Sequence, residues 1–199
     1  EEKVELTEPK TVYLPDGYTN ISFGTSELAK AMQRYCIKRG FSIQLLSKYG
    51  VGYCTKGQLF GYLIIPFYYN GQLRYYNARN VLGNGSRYNN PNRDITGVGK
   101  EFIIFNHDAL FMYKTVYLCE GAINALTMGE KGIATMGKSV SRYQINEIIK
   151  SPVEHIIILL DHDAQDKAVD LAMKLVNFKK VKVILFPDDR DVNDLGKKR

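Results

Sequence analysis

The stretch Val153-Glu154-His155-Ile156-Ile157-Ile158-Leu159-Leu160-Asp161-His162-Asp163 decides the fold. From His155 to Leu160 it is an apolar run, rich in β-branched residues and too short for a helix, which follows the Ser151-Pro152 break. Such a run reads as a strand buried on both faces, the kind found in parallel sheets. Its neighbours repeat the theme. Thr115 to Cys119 reads as a strand, Ala122 to Lys131 as a helix, Gly132 to Met136 as a strand and Arg142 to Lys150 as a helix. Beyond the central run, Ala168, Leu171, Ala172, Leu175 and Val176 recur at helical spacing, and Val181 to Phe186 closes the series as a fourth strand. Alternating strands and helices with short links predict an α/β fold with a mostly parallel sheet flanked by helices.

The acids fall where such a sheet does chemistry. Glu120 follows the first of these strands, Asp161 and Asp163 follow the third, and Asp191 and Asp194 follow the fourth. Strand carboxyl ends meet at one edge of an open α/β sheet, so acids far apart in sequence converge there and can hold divalent cations. In an extended chain the side chains of Asp161 and Asp163 point the same way and can reach one ion. The competing reading is that Asp161 ends the strand and Asp163 caps the helix behind it. Gly121 is expected to let the backbone turn tightly after Glu120. Asp188 and Asp189 read equally well as a solvated turn. His162, between the two aspartates, is expected to point to the opposite face, and Lys138 and Ser139 after Gly137 could meet a phosphate where a helix begins, though a lysine beside a turn is usually just solvated.

Composition narrows the classes. The chain has 199 residues, 45% of them hydrophobic, enough to bury a core. No apolar run approaches the ~18 residues of a membrane span, and the acidic start Glu1-Glu2 argues against a signal peptide. Cys36, Cys54 and Cys119 are widely spaced in apolar contexts and read as reduced core thiols of a cytoplasmic protein. Without a Cys-x-x-Cys pair there is no zinc ribbon. Asn84-Gly85-Ser86 is a chance sequon. The formal net charge of +6 suggests an anionic partner. Between Asn70 and Lys100, Arg74, Arg79, Arg87, Arg93 and Lys100 stand against one acid, Asp94, with Tyr75, Tyr76 and Tyr88 interleaved. Cations for phosphates and aromatic faces for bases suit single-stranded nucleic acid or nucleotides, and the plain alternative is a solvated hairpin.

The first half has a different rhythm. Residues 1–25 carry Pro9, Pro15, Gly17 and Gly24 without periodicity and read as an arm or linker. A helix runs from Thr25 or Ser26 to Arg39, stopped by Gly40, and Ser42 caps a second short helix. Leu59 to Tyr69 and Gln72 to Val81 flank Asn70-Gly71 as a hairpin, with Pro66 expected at an edge or bulge. Phe102 to Phe105 reads as another short strand. The chain is thus divided into an arm (1–25), a smaller mixed α+β basic subdomain (26–114) and the parallel-sheet subdomain (115–199).

Leu118-Cys119-Glu120-Gly121, Gly137, Leu159-Leu160-Asp161-His162-Asp163-Ala164 and Arg190-Asp191-Val192-Asn193-Asp194 together resemble a TOPRIM domain, the metal-binding fold shared by DnaG-type primases and topoisomerases. Ala31 to Tyr53, Ile65-Pro66, Asn70-Gly71, Asn77-Ala78-Arg79, Arg87-Tyr88-Asn89 and Lys100 resemble the helical opening and basic subdomain that precede TOPRIM in those primases. Ala164-Gln165 stands where the family usually has Ala-Gly, and Arg87-Tyr88-Asn89 is one residue shorter than the usual Lys-Tyr-x-Asn. The resemblance implies a phage or plasmid primase core that makes RNA primers on single-stranded DNA from ribonucleoside triphosphates in a bacterial cytoplasm, with a replicative helicase as partner. It further implies two or more Mg²⁺ or Mn²⁺ ions on Glu120, Asp161 and Asp163 with Asp191 and Asp194 in support, no zinc, and nucleotide or template contacts from Arg79, Arg87, Tyr88, Asn89 and Lys100. Glu120 is either ligand or general base. The rival reading is a non-catalytic TOPRIM module that binds single-stranded DNA for a helicase, against which the set of mutually repelling carboxylates counts.

Overall fold

The computed structural model describes residues 10–83 and 85–196. The first nine residues of the expected arm, and Asn84 of the sequon, lie outside the described residues. The chain begins with a short strand β1 (Tyr18–Asn20), helices α1 (Glu27–Lys38) and α2 (Ile43–Lys48), and strands β2 (Gly52–Cys54), β3 (Tyr62–Tyr69) and β4 (Gln72–Asn80). The four strands form an antiparallel sheet in the order β1-β2-β3-β4. Ser26, one of the two expected starts, caps α1, and Ser42 caps α2 as expected. Ser26 Oγ accepts from the Ala29 N–H at 3.2 Å and Ser42 Oγ from the Leu45 N–H at 3.1 Å.

Part of the expected arm is therefore a strand. Tyr18–Asn20 pairs with β2, and three residues are too few to show a period of two. The hairpin turns at Asn70 and Gly71, with φ of 49° and 76°, the left-handed pair that matches strand twist. Pro66 lies within β3 rather than at an outer strand, but beyond the last β2–β3 pair at Ile64 and one residue before the register shift at Phe67/Tyr68. No β2 partner there requires the N–H that proline lacks.

After β4 come α3 (Arg93–Thr96), a 3₁₀ turn at Lys100–Phe102 and α4 (Ala109–Met112). The strand expected at Phe102 to Phe105 is reduced to one bridge, Phe105 to Ala134, because Gly99–Phe102 coils first. The second half is β5 (Thr115–Cys119), α5 (Ala122–Thr127), β6 (Gly132–Ala134), α6 (Arg142–Lys150), β7 (His155–Leu159), α7 (Gln165–Leu175), β8 (Lys180–Val183) and α8 (Val192–Gly196). The four strands pair in parallel in the order β6-β5-β7-β8. The expected α/β architecture, preceded by a smaller antiparallel unit, is what forms.

The two faces of the parallel sheet have different partners. Val116, Leu118, Ile156 and Ile158 pack with Ile148 of α6 and Leu171 and Leu175 of α7. Alternate residues, among them Cys119 and Leu159, belong to a second core that includes Ala122 and Leu126 of α5, Phe105, and Leu63, Ile65 and Phe67 of the antiparallel sheet. Burying each such aliphatic side chain stabilises by about 1.5–3 kcal/mol. That core joins the two sheets, and so holds the first half against the acid-bearing edge of the second. None of the described helices is long and apolar enough to cross a membrane.

Candidate active site

Chain order reverses between β5 and β7: from β5 the chain moves to β6 on one side, then crosses to β7 on the other. The crevice beyond the carboxyl ends of two such strands is where open α/β sheets bind ligands. Glu120 leaves β5 and Asp161 leaves β7 at this crevice. Asp163 follows in a 3₁₀ turn, and Asp191 arrives from the loop before α8. All four line one cleft of about 540 Å³.

The opposite wall comes from the first half: Arg39 at the end of α1, Asn77 and Arg79 on β4, Arg87, Tyr88 and Asn90 in the segment beside it, and Lys100. Residues 87–89 run along β4, with the Asn80 N–H donating to Arg87 O and the Asn89 N–H to Ala78 O, both at 3.0 Å. The pairing brings the guanidiniums of Arg79 and Arg87 to 5.3 and 5.6 Å from the Tyr88 ring centre, within cation–π range. One cleft thus has an acidic wall and a basic wall.

Several expectations are corrected here. Asn89 spends its N–H on β4 and does not line the cleft, whereas the Asn90 carboxamide accepts from Asn77 Nδ2 at 2.9 Å and the Ala78 N–H at 3.0 Å. Arg87-Tyr88-Asn89-Asn90 contains the basic-Tyr-x-Asn spacing when it is read to Asn90, and that signal was there to be used. Asp194 does not line this cleft but stands next to Asp191, which does. Its N–H donates to Asp191 Oδ1 at 2.8 Å in the first turn of α8, so it orders Asp191 instead of joining it. Gly121 has φ −123° and ψ 156°, an ordinary extended backbone. A Cβ there would meet nothing within 4 Å, so glycine is not required by the turn and leaves the cleft open beside Glu120.

Asp161 and Asp163 share the cleft, though by different geometry from that expected. Asp163 sits in a 3₁₀ turn, not an extended chain, and no side chain caps α7, so the capping alternative does not hold. His162 faces elsewhere, its Nδ1 lying 2.8 Å from Phe186 O. Gln165, at the departure from the family pattern, also donates to Phe186 O, at 2.7 Å.

Asn124 and Asn193, which sequence reasoning did not single out, and Lys138, which it left between a phosphate contact and a solvated residue, complete the site. Asn124 donates to Asp161 Oδ1 at 3.1 Å from the first turns of α5. Asn193, 1% exposed, takes Arg39 Nη1 on its Oδ1 at 3.1 Å and donates to Arg39 O and Thr127 Oγ1, which ties the end of α1 to α5. Lys138 forms an ion pair with Asp163. Asn124 has no signature of its own, because burial, not residue type, makes it a structural partner, whereas Asn193 stands within the Arg190–Asp194 motif and only its burial gives it a role.

The electrostatics follow from this crowding. Burial and the Asp161 carboxylate raise the Glu120 pKa above its ordinary value, and burial with Asp191 and Asp163 raises that of Asp161. Lys138 holds Asp163 below the usual carboxylate range. Glu120 Oε2 is buried without a hydrogen-bond partner, a costly position for a carboxylate unless a cation faces it. This donor set, oxygen-only and mutually repelling, fits a hard divalent cation. Among the described residues no three acidic, histidine or cysteine groups close around one point; Asp161 and Asp163 are instead engaged by Asn124 and Lys138.

Comparison with known proteins agrees with this geometry. A Toprim-like family model matches residues 117–196. No curated protein sequence matches the chain. Among solved structures, a DnaG catalytic core superposes with a TM-score of 0.74 at 15% identity, covering 87% of this chain and 70% of that one. A DnaG primase catalytic domain bound to single-stranded DNA gives 0.72 at 16% identity, covering 87% and 69%. The primase fragment of the bacteriophage T7 primase-helicase gives 0.62 at 23% identity, covering 81% and 69%. Residues 117–196 thus match a Toprim-like family model, and the chain has the fold of DnaG primase catalytic cores.

Proposed function

We propose that this chain is the polymerase core of a primase, a nucleotidyltransferase that joins ribonucleoside triphosphates into short RNA primers on a single-stranded DNA template. The observation that carries this reading is the placement of Glu120, Asp161, Asp163 and Asp191 opposite Arg79, Arg87 and Lys100 across one cleft of a DnaG-like fold. Glu120, Asp161, Asp163 and Asp191 would hold two or more Mg²⁺ or Mn²⁺ ions, with Asp194 ordering Asp191. Such ions lower the pKa of an attacking 3′-hydroxyl and offset charge on the leaving pyrophosphate.

The chain's own residues supply positioning. Arg79, Arg87 and Lys100 bind the phosphates of nucleotide or template, and Tyr88, held beside both guanidiniums, offers its exposed face to a base. Asn77 and Asn90 hold that wall in register. The single-stranded DNA bound to one structural neighbour, and the primase-helicase protein of which another is a fragment, support a DNA template and a helicase partner here. The unpaired Glu120 oxygen weighs against a module that only binds DNA, which would carry that cost for no return.

The test is primer synthesis on single-stranded DNA with labelled ribonucleotides, with and without Mg²⁺ or Mn²⁺. Metal-dependent product longer than a dinucleotide is expected. DNA binding without any product, under conditions that support a known primase, would replace the enzyme reading with the binding-module one.

A further inference from the structure

Lys138 lies on the acidic side of the cleft, in the segment that follows β6. That segment is held in place. Thr135 donates its N–H to Cys119 O and gives its carbonyl to Gln144 Nε2 at 3.0 Å, and Met136 takes φ of 62°, a conformation disfavoured for a residue with a Cβ. Backbone held in such a region depends on its surroundings to persist, and it recurs at functional sites. The outcome is an ammonium on Asp163 Oδ2, with the two side chains 41% and 62% exposed. A second lysine nearby, Lys167, is placed differently, donating to Ser139 Oγ at 3.1 Å.

We propose that Lys138 is a built-in counter-cation of the acidic cluster, so that a divalent ion must displace its ammonium from Asp163 before that carboxylate can act as a ligand. This rests on the metal-binding reading above. Lys138 would then set how much free metal the site requires, and once released it would stand on the cleft wall beside Gly137, where the Lys100 amine also approaches, 3.9 Å from the position of a Cβ on Gly137. Two lysines at that point suit a polyphosphate, so metal and nucleotide would each favour the other's binding by competing for or engaging the same ammonium.

The experiment is a Mn²⁺ titration of the full chain, following the paramagnetic signal of the free ion, on wild type, Lys138→Met, Lys138→Gln, Lys167→Met, Asp163→Asn and the Lys138→Met/Asp163→Asn pair. Each Lys138 variant should bind Mn²⁺ about two- to fivefold more tightly than wild type, the scale of an exposed ion pair. The gain should vanish in the Asp163→Asn background and be smaller for Lys167→Met. An equal gain from Lys167→Met, or one that survives Asp163→Asn, would show a general effect of removing positive charge and overturn the proposal. Wild type that binds Mn²⁺ with Lys138 variants no tighter would overturn it and leave the metal site standing. No Mn²⁺ binding by any variant would remove both.

Discussion

Replacing Gln144 with leucine should destabilise the chain and loosen both lysine-bearing segments of the cleft. Gln144 is 1% exposed on α6. Its Oε1 accepts from the Ser141 N–H at 2.9 Å in a capping box, and its Nε2 donates to Ile103 O at 2.6 Å and Thr135 O at 3.0 Å, with Lys100 O at 3.3 Å. An amide has two N–H groups, so the two shortest contacts decide the energy. Leucine has a similar volume, leaves no large cavity and strips those two buried carbonyls of their donor. Each buried polar group left unsatisfied costs about 1–3 kcal/mol, and the apolar side chain recovers about 1 kcal/mol in transfer. The net loss should be about 1–5 kcal/mol, a large share of the ~5–15 kcal/mol typical of a native protein. At about 2–4 °C per kcal/mol for a chain of this size, the melting temperature should fall by about 2–20 °C. Urea unfolding followed by circular dichroism measures it directly. Gln144→Glu, isosteric but with a carboxylate oxygen facing two carbonyls, should be worse at neutral pH and should recover in part on acidification, when the carboxyl regains a donor. A Gln144→Leu midpoint within about 0.5 kcal/mol of wild type would refute the claim that this side chain ties Ile103 to Thr135.

Asp161→Asn with Asp163→Asn should abolish primer synthesis while leaving metal-free thermal stability close to that of wild type, because relief of the burial and repulsion at Asp161 offsets the loss of the exposed Lys138–Asp163 ion pair; Mn²⁺ should then raise the melting temperature of wild type but not of the variant, by the linkage of binding to folding. Retained synthesis would overturn the metal assignment. Glu120, whose folded-state pKa is raised, contributes stability that is present in full below its ordinary value of 4.5 and lost as pH rises through the elevated value. Glu120→Gln should therefore be more stable than wild type at pH 7 and lose that advantage as pH falls toward 4.5 in metal-free buffer, and a pH-independent difference in melting temperature would contradict the burial argument. Arg79→Ala and Lys100→Ala should each flatten the salt dependence of single-stranded DNA affinity by about 0.7 in logarithmic slope without altering Mn²⁺ affinity. An unchanged slope in both would mean the basic wall does not contact phosphate.

The parallel sheet was legible in the sequence because its central strand is a short apolar run and its strands are separated by helices with a clear period; the edge strand β8 was placed less well, since Lys180-Val181-Lys182-Val183 alternates and ends before the expected Phe186. The acids were legible for the same reason, since Glu120 and Asp161 stand directly after strands whose carboxyl ends must share one edge. The Asn70-Gly71 turn and the Ser26 and Ser42 caps are likewise local chemistry, decided within a few residues. What lay beyond reach depended on long-range pairing. Tyr18–Asn20 is a strand only because β2 accepts it, and Phe105 makes one bridge because Ala134 is opposite. Asn90 lines the cleft because pairing with β4 brings its carboxamide onto Asn77 Nδ2 and the Ala78 N–H, and Asp194 meets Asp191 because α8 begins between them. Lys138, Asn124 and Asn193 acquire roles from partners 25, 37 and 154 residues away. Residue type and spacing encode which groups can carry the chemistry, whereas the choice among them is made by the packing of the two sheets on a common core, because only that packing determines which polar atoms lose water and must find one another.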